Sequence, residues 1–300
     1  MAPKINMATT PPDSDRDAEK VAPLLENAIL DIGIPPCPAI LNQINLEMCK
    51  DDPDFKRLTR LINSDVGVAA GLITTANSPF FGSRYHVRST DEALIKLGLN
   101  VASRAIAGIF LRKLFPLSAS LERFWDSSAA IARFSGWLVQ QDQVLIKARA
   151  DDAYTFGLFR DCGIPLLLRR FDHYGALLAR ANKEEERSFT EIEVESCSMN
   201  HASIGGLLAQ GWWLPQDIYM AIRHHHDYSQ LQLGSKSHLS KVTRALIATA
   251  QLAEHLFQHH SGLSMTREWF KGGAACLNSL GLTEENLHLL YDESGHLSSE

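Results

Sequence analysis

Residues 221–230 read AIRHHHDYSQ, which sets three histidines and an aspartate side by side. Imidazole and carboxylate are the common donors to zinc, manganese and iron, and imidazole also carries protons near neutral pH. Two readings are open. The run either marks a metal site, working or worn, or it simply forms the polar end of a helix. Spacing speaks for the second. Consecutive helical residues point about 100° apart, so three in a row are not expected to converge on one ion, and zinc helices use i, i+4 spacing instead. Pro215 opens a helix that runs into the histidines, where partial positive charge meets the carbonyl end of the helix dipole. The expectation is a helix end, compatible with a relic of a metal site, with no metal and no cofactor.

Other reactive side chains are weighed in the same way. The five cysteines, Cys37, Cys49, Cys162, Cys197 and Cys276, are odd in number and include no CxxC. That is neither a disulfide framework nor a zinc ribbon, and free thiols in a reducing cytoplasm are the plain reading. Cys162 stands two residues from Arg160, a placement that would lower a thiol pKa, yet no base partner is evident. Asp161 is expected to pair with Arg160 or to cap the turn at Gly163. His201 is expected to pack on the WWLP segment with its ring hydrogen-bonded, and His238, His259 and His260 read as exposed helix ends. GxGxxG, P-loop, GxSxG and HExxH patterns are all missing, which removes the usual nucleotide, hydrolase and metalloprotease signatures.

The elements that must position these residues are helices. The stretch 53–77 carries apolar residues at Phe55, Leu58, Leu61, Ile62, Val68, Leu72 and Ile73. That three-and-four spacing predicts two helices broken near 64–67, with Asp52 as N-cap ahead of Pro53. Ser89 and Glu92 have capping-box spacing at the head of a buried helical stretch over 89–115. Pro116 ends this block, and further helical segments follow at 124–141, 151–171, 189–213, 214–226 and 238–260. The chain of 300 residues thus divides into a disordered tail (1–20), a first helical subdomain (21–116), a second (117–260) and a helical extension (261–300). A net charge of −6 argues against a nucleic-acid binder, which needs clustered basic residues. No apolar run is long enough to span a bilayer and the N-terminus has no apolar secretion core, so the expected location is the cytoplasm.

The order of motifs resembles the HDOD family, the HD-related output domains of bacterial signalling proteins. IPPCPAIL (34–41), LINSDVGVAAGLITTANSPFFG (61–82) and STDEALIKLGLNVASRAI (89–106) look like its N-terminal helical region. AYTFGLFRDCG (153–163), NHASIGGLLAQGWWLPQDIYMAIRHHH (200–226) and LIATAQLAEHL (246–256) look like its HD-like half. The resemblance implies an all-α fold of two helical subdomains, the second HD-like, related to metal-dependent HD phosphohydrolases. Carried onto this chain, the ligand positions of those enzymes fall at Ser127 or Ser128, Arg160, Asp161, His201, His224 or His225, and the Ala250-Gln251 pair. Serine, arginine and glutamine there imply a degenerate site, since a guanidinium cannot ligate a cation.

The implied function is a non-catalytic regulatory module that binds a signalling partner protein through helical surfaces. Phe80, Phe81, Arg84 and Tyr85 form a candidate contact loop, against the plainer reading that the two phenylalanines anchor that loop to the core. Two alternatives stay open: a divergent metal-dependent phosphohydrolase, with Asp151, Asp152 or Asp227 replacing lost ligands, and a sensor in which Arg160 pairs with the phosphate of a nucleotide.

Overall fold

The spacing of apolar residues is realised as helices throughout the computed structural model, which describes residues 33–82, 85–115, 118–145, 148–232 and 237–298. The 1–20 tail lies outside the described residues, as does Arg84. Among the described residues there is no strand, and the fold is all-α.

The first block opens with α1 (Ala39–Met48), α2 (Phe55–Asn63) and α3 (Val66–Ala76). The break between α2 and α3 falls where the pattern placed it, but the N-cap of α2 is Asp54, whose carboxylate accepts the Arg57 N–H at 3.0 Å. Asp52, expected as the cap, stands two residues too early, because Pro53 precedes the capping residue rather than following it. The long α4 (Thr90–Lys113) then packs back over the first three. Ser89 caps it by accepting the Glu92 N–H, while Glu92 reaches past the expected partner to accept the Arg88 N–H at 2.7 Å. Within α4, Gly98 has φ 71° and ψ 162°, a conformation essentially restricted to glycine, and it breaks the helix into two differently directed pieces. By length and composition α4 could cross a membrane, yet its buried positions face the neighbouring helices.

The second block is built around α5 (Ala119–Leu138), α6 (Ala150–Phe159) and α12 (Lys241–Ser261). From Ala245 to Gln258 only His255 escapes full burial, the mark of a helix enclosed on every side. Around this axis lie α7 (Ile164–Arg170), α8 (Tyr174–Ala181), α9 (Phe189–Cys197), α10 (His201–Gly211) and α11 (Gln216–His224). The C-terminal α13 (Glu268–Leu280) and α14 (Glu284–Ser294) close against α12. Residues from Pro36 onward form one compact unit by their contacts.

Candidate functional site

Three short segments deliver four donor atoms to one point. Asp161 sits in the turn between α6 and α7, where its carbonyl accepts the Ile164 N–H. His201 is the first residue of α10, behind the N-cap Asn200. These two are held together by Gly163: a Cβ there would stand 2.1 Å from the His201 carbonyl oxygen, so only glycine allows the α7 start to lie on α10. His225 and His226 come from the end of α11.

The reasoning that consecutive histidines diverge fails at this end. The helix stops at His224, and His225 is its C-cap. Beyond the cap the 100° step no longer applies, and the next two imidazoles turn to the same side with ring centroids 4.2 Å apart. The donor atoms of Asp161, His201, His225 and His226 all lie within 4.8 Å of one another. His201 Nε2 is 3.3 Å from His225 Nε2 and 3.2 Å from His226 Nε2. Asp161 Oδ1 is 3.4 Å from His201 Nε2 and 3.3 Å from His225 Nε2.

The opposite nitrogen of each ring is engaged, and this fixes which atom faces inward. His201 Nδ1 meets Glu193 Oε2 at 2.8 Å, His225 Nδ1 meets the Ile222 carbonyl at 2.7 Å, and His226 Nδ1 meets Glu268 Oε2 at 2.8 Å. Carboxylates and carbonyls only accept, so each Nδ1 donates and each Nε2 faces the cluster, where it offers a lone pair whenever its ring is neutral. Burial opposes the charge on Glu193, but His201 and the Tyr174 hydroxyl keep its carboxyl below the ordinary range. Burial likewise opposes the charge on Glu268, and there His226 and Lys271 win and hold the carboxyl well below that range. Glu193 also accepts the His201 backbone N–H, one of the donors a helix start leaves unpaired. The rings compete for positive charge. Burial works against the imidazolium of His201, yet Glu193 and Asp161 push its pKa up to about 10. Burial and the neighbouring His226 push His225 down to about 3.

Arg160 follows the expected pairing and adds a second partner. Its Nε donates to Asp161 Oδ2 at 2.9 Å and its Nη2 lies 2.7 Å from Glu254, with Arg160 and Glu254 buried and Asp161 half-buried. Burial opposes the charge on Asp161, but Arg160 and the two histidines hold its carboxyl well below the carboxylate range. Gln251 bridges Tyr228 and Glu254, and Ser127 bonds Ser264 at 2.7 Å. Ser127, Arg160, Asp161, His201, His225 and Gln251 therefore all line one cavity of about 570 Å³.

His224 does not join them. Its ring points away toward His238, at 5.2 Å between centroids, and His226 takes the place assigned to it. The signal that would have found His226 is the end of the apolar helical pattern at Ile222, three residues before the chain must leave α11. The proposed substitute ligands lie elsewhere: Asp151 and Asp152 pair with Arg104, and Asp227 accepts from Ser229 and Gln230. Cys162 is corrected as well. Full burial, with Asp161 nearby, pushes its thiol pKa up rather than down. The neighbours found for His201 are the Phe189 ring edge and Glu193. Trp212 is buried, while Trp213 is exposed. His238 and His259 are exposed, as expected, whereas His260 is half-buried against Ser294. In the candidate contact loop Phe80 stacks on Tyr154 with centroids 4.6 Å apart, and Phe81 packs edge-on to Phe80. Both anchor the loop, and Tyr85 stands well exposed.

Does the donor set fit a cation? A tetrahedral ion bound at about 2.0–2.1 Å separates its ligands by about 3.3 Å. Four of the six separations, 3.2 to 3.4 Å, match that edge, and the other two stay within 4.8 Å. Three imidazoles anchored through Nδ1 and one carboxylate form the donor chemistry of zinc and of the neighbouring divalent ions. Asp161, His201, His225 and His226 would hold such an ion.

Comparison with known proteins agrees with this fold. A crystal structure of an HDOD domain protein of unknown function from Geobacter sulfurreducens superposes with a TM-score of 0.61 at 22% identity, covering 94% of this chain and 97% of the other. A phosphohydrolase candidate from Shewanella amazonensis SB2B gives 0.64 at 16% identity, covering 90% and 94%. A candidate signal transduction protein from Marinobacter aquaeolei VT8 gives 0.63 at 17%, covering 95% of this chain and 66% of the other. At such identities the likeness is one of fold. An uncharacterized protein of Treponema pallidum (strain Nichols) is 25% identical over 211 residues, 69% of this chain, and the match spans 40% of that relative's length. The profile of the HDOD domain matches residues 34–228, and the chain belongs to the HDOD family.

Proposed function

We propose that this chain is a regulatory domain of bacterial signalling that holds one divalent cation and does not turn over phosphate esters, and that it acts by presenting its helical surfaces to a partner protein. The observation that carries this reading is the placement of Arg160. Its guanidinium holds Asp161 Oδ2 and is itself held by Glu254, so Asp161 has only Oδ1 left for an ion. A second cation beside the first would have to displace a buried arginine that is paired on both sides. Four protein donors also complete a tetrahedral shell, the form of structural sites, whereas catalytic zinc keeps a position open for water. When bound, the ion supplies a fixed positive charge under the cavity. The residues themselves do the rest: Glu193, Glu268 and the Ile222 carbonyl orient the rings, and Phe189 covers His226 with its ring stacked at 5.1 Å.

Metal analysis of the purified chain, paired with assays on phosphate monoesters, diesters and cyclic dinucleotides, tests the proposal. The expected result is about one equivalent of a transition-metal ion or zinc and no turnover above the metal-stripped protein. Turnover that disappears in His201→Ala would overturn the regulatory reading in favour of a phosphohydrolase.

A further inference from the structure

A second cavity, of about 170 Å³, has none of the four donors in its wall. Three parts of the chain meet there: Phe80 from the turn after α3, Arg133, Trp137 and Gln140 from α5, and His296 and Leu297 from the C-terminal turn. The α5 residues stand at i, i+4 and i+7, so one face of a single helix carries all three. Phe80 lies so close on α5 that a methyl group at Gly136 would meet its ring at 2.1 Å. The His296 ring meets Trp137 edge-on, with centroids 6.2 Å apart. Gln140 donates to the Gly136 carbonyl and His296 Nδ1 to the Glu293 carbonyl, each at 2.8 Å, so both side chains are held in place. Both residues are exposed, and the cavity reaches solvent on their side. Arg133 stands out on these walls. It makes no ion pair among the described residues, and its Nε is buried without a hydrogen-bond partner. A buried donor left unpaired is costly, and nearly all such groups in folded proteins find an acceptor. The neighbouring Tyr154 brings no balancing charge, because burial raises its pKa and keeps the phenol neutral.

We propose that this smaller cavity binds a small organic carboxylate with a flat apolar body, its carboxylate held by Arg133 and its body set against Phe80 and Trp137. A guanidinium takes the two oxygens of a carboxylate through paired N–H donors. One cation balances one charge. A phosphate dianion would bring a second charge against walls made largely of rings and a leucine, where an unpaired charge is costly. The volume sets the size: pockets for drug-sized ligands begin at about 300 Å³, and 170 Å³ suits a single ring bearing a carboxylate. Such a ligand would touch the first helical block, α5 and the C-terminal turn at once, and so tie three separate segments together. This site does not depend on the metal site or on the reading given to it. Arg133 also borders the larger cavity, whereas Phe80, Trp137, Gln140 and His296 border the smaller one and not the larger, which lets an experiment tell the two apart.

Calorimetric titration of the full chain with benzoate, with benzyl alcohol as its neutral counterpart and with inorganic phosphate tests this. Saturable binding of benzoate, and not of the alcohol or of phosphate, is expected. Arg133→Gln should weaken it about ten- to a hundredfold, the worth of a charge-assisted hydrogen bond. Arg133→Lys, which keeps the charge but loses the fork, should fall between parent and glutamine variant. Trp137→Leu should weaken binding as well, since it removes a wall of the smaller cavity. Arg123→Gln, which alters the wall of the larger cavity and not of the smaller, should bind like the parent, and so should chelator-stripped protein. Thermal melts show which variants fold; if Arg133→Gln does not, the lysine and Trp137→Leu variants decide the matter. Absence of saturable benzoate binding, equal binding of benzyl alcohol, or parental affinity in the Arg133 and Trp137 variants would overturn the inference. So would loss of binding in Arg123→Gln or on metal removal, which would place the ligand in the larger cavity.

Discussion

At the scale of single residues, two adjacent histidines have opposite fates. His226 faces Asp161 and His201, anchored by Glu268, while His224 faces His238. Replacing each in turn is therefore a sharp comparison. His226→Ala should lose the bound ion on dialysis, whereas His224→Ala should retain about one equivalent by elemental analysis; equal retention would show that His226 is no ligand. The anchors matter nearly as much as the ligands. Glu193→Gln keeps the shape of the side chain but can turn an amide N–H toward His201 Nδ1, which frees that ring to flip. Orienting partners of this kind are worth about ten- to a hundredfold in metal affinity, so a competition titration with a chromophoric chelator should register a weakening of that size. An unchanged affinity would mean that the His201–Glu193 bond serves only the fold.

At the scale of elements, the helices themselves were legible from apolar spacing, because burial of one stripe per helix repeats every three or four residues. The α2–α3 break and the start of α11 at Pro215 followed from it. The site was legible only up to the point where regular geometry ended. Asp161, His201 and His225 stand at helix ends, where identity can be read but direction cannot, and His226 lies one residue past a cap. The kink at Gly98 was hidden for a related reason: a glycine within an apolar run looks like any small helical residue until its φ is known. Gly163 illustrates what such positions contribute. Gly163→Ala would press a methyl group into the His201 carbonyl and should cost about 1–3 kcal/mol of stability, the usual effect of overpacking, measurable by urea unfolding. An element-level pH effect arises on α12. His255 lies flat on Trp269 at 4.1 Å and bonds the Tyr291 hydroxyl; burial, with His259 nearby, pushes its pKa down to about 4. The unfolded chain titrates near the free value of about 6.5. Above that pH the ring is neutral in both states and stability does not change. Between the two values only the unfolded state takes the proton, so stability falls as pH falls, by about 1–2 kcal/mol after allowance for partial exposure. His255→Phe keeps the stack on Trp269 and should flatten the decline between pH 7 and pH 4.5; an identical decline in the variant would remove His255 as its source.

At the scale of the whole molecule, the candidate ion would link segments that are far apart in sequence. Asp161 belongs to the α6–α7 turn, His201 to α10 and His225 and His226 to the end of α11, while Glu268 ties α13 to His226. Without a cation, three inward lone pairs and a carboxylate face one another in a buried space, an arrangement that a proton on one ring relieves only in part. The unfolded chain brings none of these donors together, so binding free energy appears as folding free energy. At a free metal concentration a hundred times the dissociation constant, the gain is about 2.7 kcal/mol. For a chain of this size that corresponds to a rise of roughly 4–5 °C in Tm. Calorimetry on metal-replete and chelator-stripped protein should show a gap of that order, and the gap should close in His226→Ala while it persists in His224→Ala. Because α11 and α13 are joined at the site, hydrogen exchange on stripping should rise first at 225–228 and along the start of α13, with the core of α12 still protected. A stripped protein with the same Tm and the same exchange pattern as the loaded one would mean that the four donors are held by protein contacts alone, and that the ion, if it binds, contributes nothing to the fold.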